Sequence, residues 1–262
     1  MTKSAGEIHS MDSTLFHSAV LPPGSPGMLL NVTREQEGWK TINIAVQRLA
    51  AGQIGKDSNG DDEAALVVLG GRMAVDLGRG PQPLGERENV FAGFPHSVYL
   101  PHGTAFEVTA VTICEIADCR ASSTANLEPH LIVPGNVVSV TRGGGNATRQ
   151  VVDLSRPEIS AEKLMICEVY RPSGNWSSYP PHKHDVHNPP VEVALDGTCF
   201  YCLDAPDGCA FRRPHDSVHQ SDDPRYVYMC HNWPQPDPRV PKVHDIRSEV
   251  RARQGATFRR TT

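Results

Sequence analysis

Short runs of apolar and β-branched residues recur along most of the chain, each closed by Gly, Pro, Asn or Asp. Ile42-Asn43-Ile44-Ala45-Val46, Ala64-Ala65-Leu66-Val67-Val68-Leu69, Ser97-Val98-Tyr99-Leu100 and Phe106-Glu107-Val108-Thr109-Ala110-Val111 are the clearest. Their length and composition predict strands, and no window of twelve residues carries a helical period. Between Ala64 and Val111 the pattern has a grammar. A strand ends in Gly70-Gly71-Arg72, a hairpin follows, and Val98-Tyr99-Leu100-Pro101-His102-Gly103 leads into the last pair. A small β-barrel returns its chain toward the closing edge in this way. A second strand-rich stretch starts at Leu164-Met165-Ile166-Cys167-Glu168-Val169-Tyr170 and carries its own turn, Pro172-Ser173-Gly174-Asn175.

The predicted fold class is therefore all-β, with two similar barrels in tandem. The first spans 1–125, linker and crossover strands occupy 126–160, and the second begins over 161–213. From Pro214 the chain is rich in proline and charge, and only Tyr226-Val227-Tyr228-Met229-Cys230 reads as a strand. Residues 214–262 are expected to be a degenerate or poorly ordered tail, with 247–260 frayed, which leaves the second barrel incomplete.

Composition narrows the picture further. A chain of 262 residues buries a large core, and its net charge of -5 gives no electrostatic footprint for nucleic acid or anionic lipid. No run of eighteen apolar residues predicts a membrane span. The segment Met1-Thr2-Lys3-Ser4-Ala5-Gly6-Glu7-Ile8 lacks the apolar core of a signal peptide, so a cytoplasmic location is expected. The cysteines are seven and scattered, which argues against a disulfide framework. Cys199 and Cys202 form a CxxC, but inside an apparent strand, where they read as buried or half-buried strand residues.

The strongest chemical signal lies at residues 173–185, Ser-Gly-Asn-Trp-Ser-Ser-Tyr-Pro-Pro-His-Lys-His-Asp. On a strand, His182 and His184 would present both imidazoles on one face, half of a metal site. His96 and His102 are six apart with no companion carboxylate in pattern, and predict no metal. Gly143-Gly144-Gly145-Asn146-Ala147-Thr148-Arg149 is Gly-rich, but no Lys-Ser/Thr follows, so a phosphate loop is rejected in favour of a linker.

The run 174–185 resembles the signature stretch of the 5-deoxyglucuronate isomerase family. Trp39, Arg72-Met73-Ala74-Val75, the segment from Val90 to Pro101 and Glu115-Ile116-Ala117 fall in the family's order, and the likeness extends from about residue 25 to about 213. The resemblance implies a bicupin, two cupin barrels in tandem, acting in inositol breakdown. It implies an aldose–ketose isomerisation of 5-deoxy-D-glucuronate to 5-dehydro-2-deoxy-D-gluconate, assisted by a divalent metal, zinc or manganese. Its metal site implies His182 and His184, then a Glu, then a distant His for which His244 is the candidate. Gly197 occupies the Glu position, and glycine has no side chain to ligate. Asp196 next to it would point to the opposite face, whereas Glu192 and His187 could swing in from the preceding loop.

Enolisation needs a proton-transfer group and a cation for the substrate carboxylate. Glu168 and Tyr179 are the candidates for proton transfer, and Arg171 and Arg212 for carboxylate binding. For Glu168 a solvated strand position competes with the catalytic role. Trp176 is expected to pack, with its indole N–H bonded to a turn. The expected partner is a small-molecule sugar acid, with no nucleic acid and no membrane, and a homo-oligomer is compatible with cupin edges. A non-catalytic relative that binds a sugar acid is the competing reading, and a cupin dioxygenase is disfavoured by the 174–185 run.

Overall fold

The computed structural model describes residues 16–37, 40–154, 161–176, 186–188, 191 and 196–204, and the backbone of 243–250. Its regular structure is almost wholly strand. The first part of the chain runs β1 (Gly27–Val32), a single helical turn α1 (Arg34–Glu37), β2 (Ile42–Leu49), β3 (Ile54–Ser58), β4 (Asp62–Gly70) and β5 (Met73–Asp76). It continues through β6 (Gln82–Leu84), β7 (His96–Leu100), β8 (Ala105–Ala110), β9 (Cys114–Ser122) and β10 (His130–Ile132). The second part holds β11 (Val138–Arg142), β12 (Arg149–Asp153), β13 (Leu164–Arg171), β14 (Gly197–Leu203) and β15 (Val243–Val250).

These strands form three sheets: a six-stranded one ordered β1-β2-β9-β4-β7-β10, a four-stranded one ordered β3-β8-β5-β6, and a five-stranded one ordered β11-β12-β13-β15-β14. Every strand pairing is antiparallel. The fold is all-β, with two strand-rich units in tandem. Its described strands make packed sheets rather than barrels closed by a continuous ladder.

The six-stranded sheet is the middle layer, and β4 shows why its sequence lacks alternation. All nine of its residues are buried. Ala64, Leu66 and Val68 pack with Met73, Val75 and Val108 of the four-stranded sheet. Ala65, Val67 and Leu69 pack with Leu164 and Ile166 of the five-stranded sheet. Successive side chains point to opposite faces, and a strand covered on both faces needs apolar residues at every position. The half-covered β2 keeps its alternation instead, with Ile42, Ile44 and Val46 directed to the same cluster as Leu164.

Polar side chains tie the two units together through this middle layer. Glu63 of β4 is fully buried. Its carboxylate accepts from the Tyr99 hydroxyl at 2.7 Å and from the backbone N–H groups of Glu162, Lys163 and Leu164 at 2.8, 2.6 and 2.6 Å. That arrangement fixes where β13 begins and satisfies donors that would otherwise be orphaned next to apolar surface. Glu162 returns the tie, accepting from Ser123 Oγ and the N–H groups of Thr124 and Ala125.

Within 126–160, β10 completes the middle sheet beside β7, while β11 and β12 form the outer edge of the five-stranded sheet. The expectation that residues 214–262 contain no strand beyond Tyr226–Cys230 is corrected by β15. Its backbone pairs with β13 over Leu164↔Val250 to Arg171↔Val243 and with β14 over Gly197↔Glu249 to Leu203↔Val243. Part of the stretch read as frayed, 247–250, thus lies between two other strands. Ladder hydrogen bonds on both sides come from the backbone, so apolar alternation under-reports such a strand. The segment Tyr226–Cys230 lies outside the described residues.

Two outcomes follow from this packing. Leu66→Ala empties a site only 3% exposed and should lower unfolding free energy by about 2–5 kcal/mol, read from urea denaturation. His96 opens β7 in a buried position, and burial holds its imidazole below the ordinary histidine range, with Glu86 opposing. The unfolded chain then takes up a proton on this group at a higher pH than the folded chain does. Its contribution to stability is therefore lost as pH falls through about 6.5, and His96→Gln should flatten that part of the stability–pH curve.

Candidate functional site

The chemistry-bearing residues gather where the loop between β6 and β7 meets β13. Arg87 in that loop and Glu168 on β13 form a bidentate pair, Nη1 to Oε2 at 2.8 Å and Nη2 to Oε1 at 2.6 Å. The side chains are 2% and 0% exposed. Removing both charges from water is costly, and this geometry offsets it only because the remaining donors are also satisfied. Arg87 Nε donates to the Val68 carbonyl at 3.0 Å and Nη1 to that of Gly93 at 3.2 Å. The Tyr170 hydroxyl donates to Glu168 Oε2 at 2.6 Å and lies 3.2 Å from Arg87 Nη1.

Electrostatics follow from that enclosure. Burial acts to lower the Arg87 pKa, but the hydrogen bonds and charge of Glu168, aided by Tyr170, hold it above the ordinary guanidinium value. Burial and then the Glu168 charge push the Tyr170 phenol above its ordinary value, with Arg87 pulling the other way. Tyr170 is thus a neutral O–H at neutral pH, anchored at its oxygen by a buried ion pair.

Beside this pair lies a cleft of about 320 Å³, lined by Phe91, Phe94, Arg149, Gln150, Tyr170 and Arg171 among others. The following turn is built by sequence: Asn175 N–H donates to the Pro172 carbonyl at 3.2 Å, and Gly174 adopts φ 77°, a conformation that favours glycine. Asn175 Nδ2 then donates to the Thr148 carbonyl at 2.8 Å and Trp176 N–H to the Asn146 carbonyl at 2.7 Å. The Gly-rich loop 143–149 therefore does more than link: it receives Asn175 and Trp176, at the start of the 174–185 run.

The residues singled out by sequence are distributed as follows. Arg171 lines the cleft, its guanidinium 6.0 Å from the Tyr201 ring centroid. Glu168 is fully buried rather than a solvated strand residue, and a ligand in the cleft would meet Tyr170 in front of it. The backbone of His244 stands in register between Tyr170 and Cys202. Tyr179, His182, His184, Glu192 and Arg212 lie outside the described residues. Gly197 opens β14 and provides no side-chain donor. Asp196 is already engaged, its Oδ2 accepting from Thr41 Oγ1 at 2.5 Å and Lys40 N–H at 3.2 Å. His187 is exposed. Cys199 and Cys202 are half-buried thiols on β14, and burial pushes the Cys202 thiol up to about 12.

Among the described residues no three of His, Cys, Asp or Glu come together as a metal site. With Gly197 at the Glu position and Asp196 spent on Thr41, the described part of the second unit does not by itself supply a ligand set.

Sequence reasoning passed over Arg87 and Glu63, and set Arg149 aside as part of a linker. Glu63 had a usable signal, a carboxylate flush against the apolar run 64–69. Arg87, in the loop Gly85-Glu86-Arg87-Glu88, had none, because its partner is 81 residues away.

An all-β protein of two strand-rich units, with a buried ion pair behind an arginine-lined cleft, is the class that the architecture defines. The chain belongs to the KduI/IolB family, whose profile matches residues 17–232. It is 34% identical over 207 residues to a 5-deoxy-glucuronate isomerase of Geobacillus thermodenitrificans, covering 78% of this chain and 76% of the relative. It is 36% identical over 214 residues to the enzyme of that name from Geobacillus kaustophilus, covering 79% and 77%. Among solved structures, an IolB-like protein from Salmonella typhimurium superposes with a TM-score of 0.76 at 25% identity, covering 90% of this chain and 94% of that one.

The ion pair can be tested by a double-mutant cycle. Arg87→Met leaves the Glu168 charge buried without its guanidinium and should cost about 3–5 kcal/mol. Adding Glu168→Leu should recover part of that loss, so that the double variant unfolds at higher urea than the single one.

Proposed function

We propose that the protein is a 5-deoxy-glucuronate isomerase, converting 5-deoxy-D-glucuronate to 5-dehydro-2-deoxy-D-gluconate in myo-inositol catabolism, in the cytoplasm. The observation that carries this reading is the identity of about a third, over more than three quarters of the chain, to enzymes of that name. The cleft supports it chemically. Arg171 supplies a guanidinium for the carboxylate, Gln150 and the Tyr170 hydroxyl offer polar contacts for hydroxyl groups, and Phe91 and Phe94 give apolar faces for C–H groups.

Moving the carbonyl from C1 to C2 requires removal of the C2 proton, transient negative charge on oxygen, and return of a proton to C1. Tyr170, kept neutral, donates its one proton to Glu168, so its oxygen is left to accept a hydrogen bond from a substrate hydroxyl. Glu168 acts behind it as a positioning residue that, with Arg87, fixes the phenol oxygen. Tyr179 is the further proton-transfer candidate and Arg212 the further carboxylate contact. A divalent ion, zinc or manganese, belongs to the proposal, with His182, His184 and His244 as the residues to hold it. When bound it would supply charge stabilisation for the enediolate.

Gly197 favours a second reading, a relative that binds the sugar acid without turning it over. One pair of measurements separates the two. Incubation with 5-deoxy-D-glucuronate should yield the ketose, followed by NMR, and elemental analysis should find close to one divalent ion per chain, lost in His182→Ala. Metal-free protein that binds the acid but leaves it unconverted would replace the isomerase with the binding protein.

A further inference from the structure

The cleft takes one wall from each unit. Phe91, Gly93 and Phe94 come from the loop between β6 and β7, and Gln150, Tyr170 and Arg171 from β12 and β13. The two phenylalanines differ in their setting. Phe91 packs on the hydrophobic cluster that joins the units, whereas Phe94, among the described residues, belongs to neither cluster and is 37% exposed. A phenyl ring left partly in water forgoes burial that would stabilise the fold.

The loop that carries Phe94 is braced along its length. The Arg87 carbonyl accepts from the Gly71 N–H at 2.8 Å, and a Cβ at Gly70 would stand 2.5 Å from the Glu88 carbonyl oxygen, so glycine there admits the loop. Asn89 caps the middle, its carbonyl accepting from the Ala92 N–H at 3.0 Å and its Oδ1 from the Phe91 N–H at 2.9 Å. The Gly93 carbonyl, directly before Phe94, accepts from Arg87 Nη1 at 3.2 Å. The same guanidinium holds Glu168 behind the opposite wall. Phe94 is thus presented to the cleft from a fixed base, with Arg171 as the cation of the other wall. The volume of about 320 Å³ is at the lower end of small-molecule sites, roughly 300–1,000 Å³, and fits a single six-carbon acid.

We infer that Phe94 is a specificity residue of the cleft, and that its ring takes the deoxygenated carbon of the substrate. The inference rests on the isomerase reading, which supplies a 5-deoxy acid as the ligand. In that acid the C5 methylene adjoins the carboxylate carbon, so a carboxylate held by Arg171 has an apolar CH2 as its first neighbour. Such a ligand calls for a cation and an apolar surface in one small site, and the cleft has both. D-Glucuronate carries a hydroxyl at the same carbon. Arg171 meets the same carboxylate in both acids and does not tell them apart. Against a phenyl ring the extra hydroxyl loses water without gaining a partner, a contact that discriminates by up to about a hundredfold.

The test uses the full chain and two probes, 5-deoxy-D-glucuronate and D-glucuronate, each reduced at C1 to the alcohol. Both are then open-chain acids that cannot isomerise, and they differ by the one hydroxyl. Calorimetry on the wild type should show the deoxy acid bound about ten- to a hundredfold more tightly. Phe94→Ala should weaken the deoxy acid about tenfold and the hydroxy acid about threefold at most, so that the ratio narrows, while Phe94→Leu keeps most of the preference. The melting temperature of unliganded Phe94→Ala should match the wild type, which a merely structural role would not allow. In turnover of 5-deoxy-D-glucuronate, Phe94→Ala should raise KM with kcat little changed. NMR on the wild type keeps the test decisive should Phe94→Ala fail to fold: the C5 protons of the bound deoxy acid should show contacts to a phenylalanine ring, and their absence overturns the inference. Equal binding of the two acids by the wild type, binding of neither, or an unchanged ratio in Phe94→Ala likewise overturns it. Isomerase activity with an unchanged ratio removes the role of Phe94 and leaves the isomerase standing. The preference without turnover keeps the role of Phe94 and removes the isomerase.

Discussion

A sheet with another sheet on each of its faces must be apolar in both directions, and that constraint organises this molecule. β4, β7 and β9 send alternate side chains into two separate clusters, one shared with the four-stranded sheet and one with the five-stranded sheet. The second unit is consequently attached by core packing rather than by a tether. Leu154, Leu164 and Ile166 belong to the same cluster as Ile42, Val67 and Ala117, so loss of apolar packing in the middle layer weakens both units at once. Backbone and side-chain polar groups trapped at that junction have to be matched there, because water cannot reach them.

The two buried carboxylates of the junction meet that requirement differently. Glu63 is satisfied by a hydroxyl and three consecutive or nearby backbone N–H groups at the start of β13. It sets the position of the strand along its own axis. Glu168, further along the same strand, is satisfied by a guanidinium and a phenol. Both carboxylates face the middle sheet from or toward β13, and together they hold that strand at two points. Tyr170 and Arg171 follow directly, so the rigidity needed to join the units also steadies the residues that line the cleft. A site on a strand pinned in this way holds its geometry better than one on a free loop.

How much of this was legible from the residues depends on the range of the interaction concerned. Strand composition, turn residues at Gly70-Gly71 and Pro172 to Asn175, and the run at 174–185 are local, and they sufficed for an all-β tandem fold and for the family. Glu168 was singled out by its place before the signature, but its role could not be read there. A carboxylate on an alternating strand has the same sequence appearance whether it meets water or Arg87. The double burial of β4 is suggested by the unbroken run 64–69, yet only packing shows which residues face which sheet. β15 escaped because a strand with neighbours on both sides draws on ladder hydrogen bonds that any sequence without proline can make. Sequence by itself determined the strands of the first unit and the start of the second, and the family, since those depend on residues close together in the chain. Tertiary structure alone decided the partners of the buried charges, since Glu63, Arg87 and Glu168 meet theirs from distant parts of the chain.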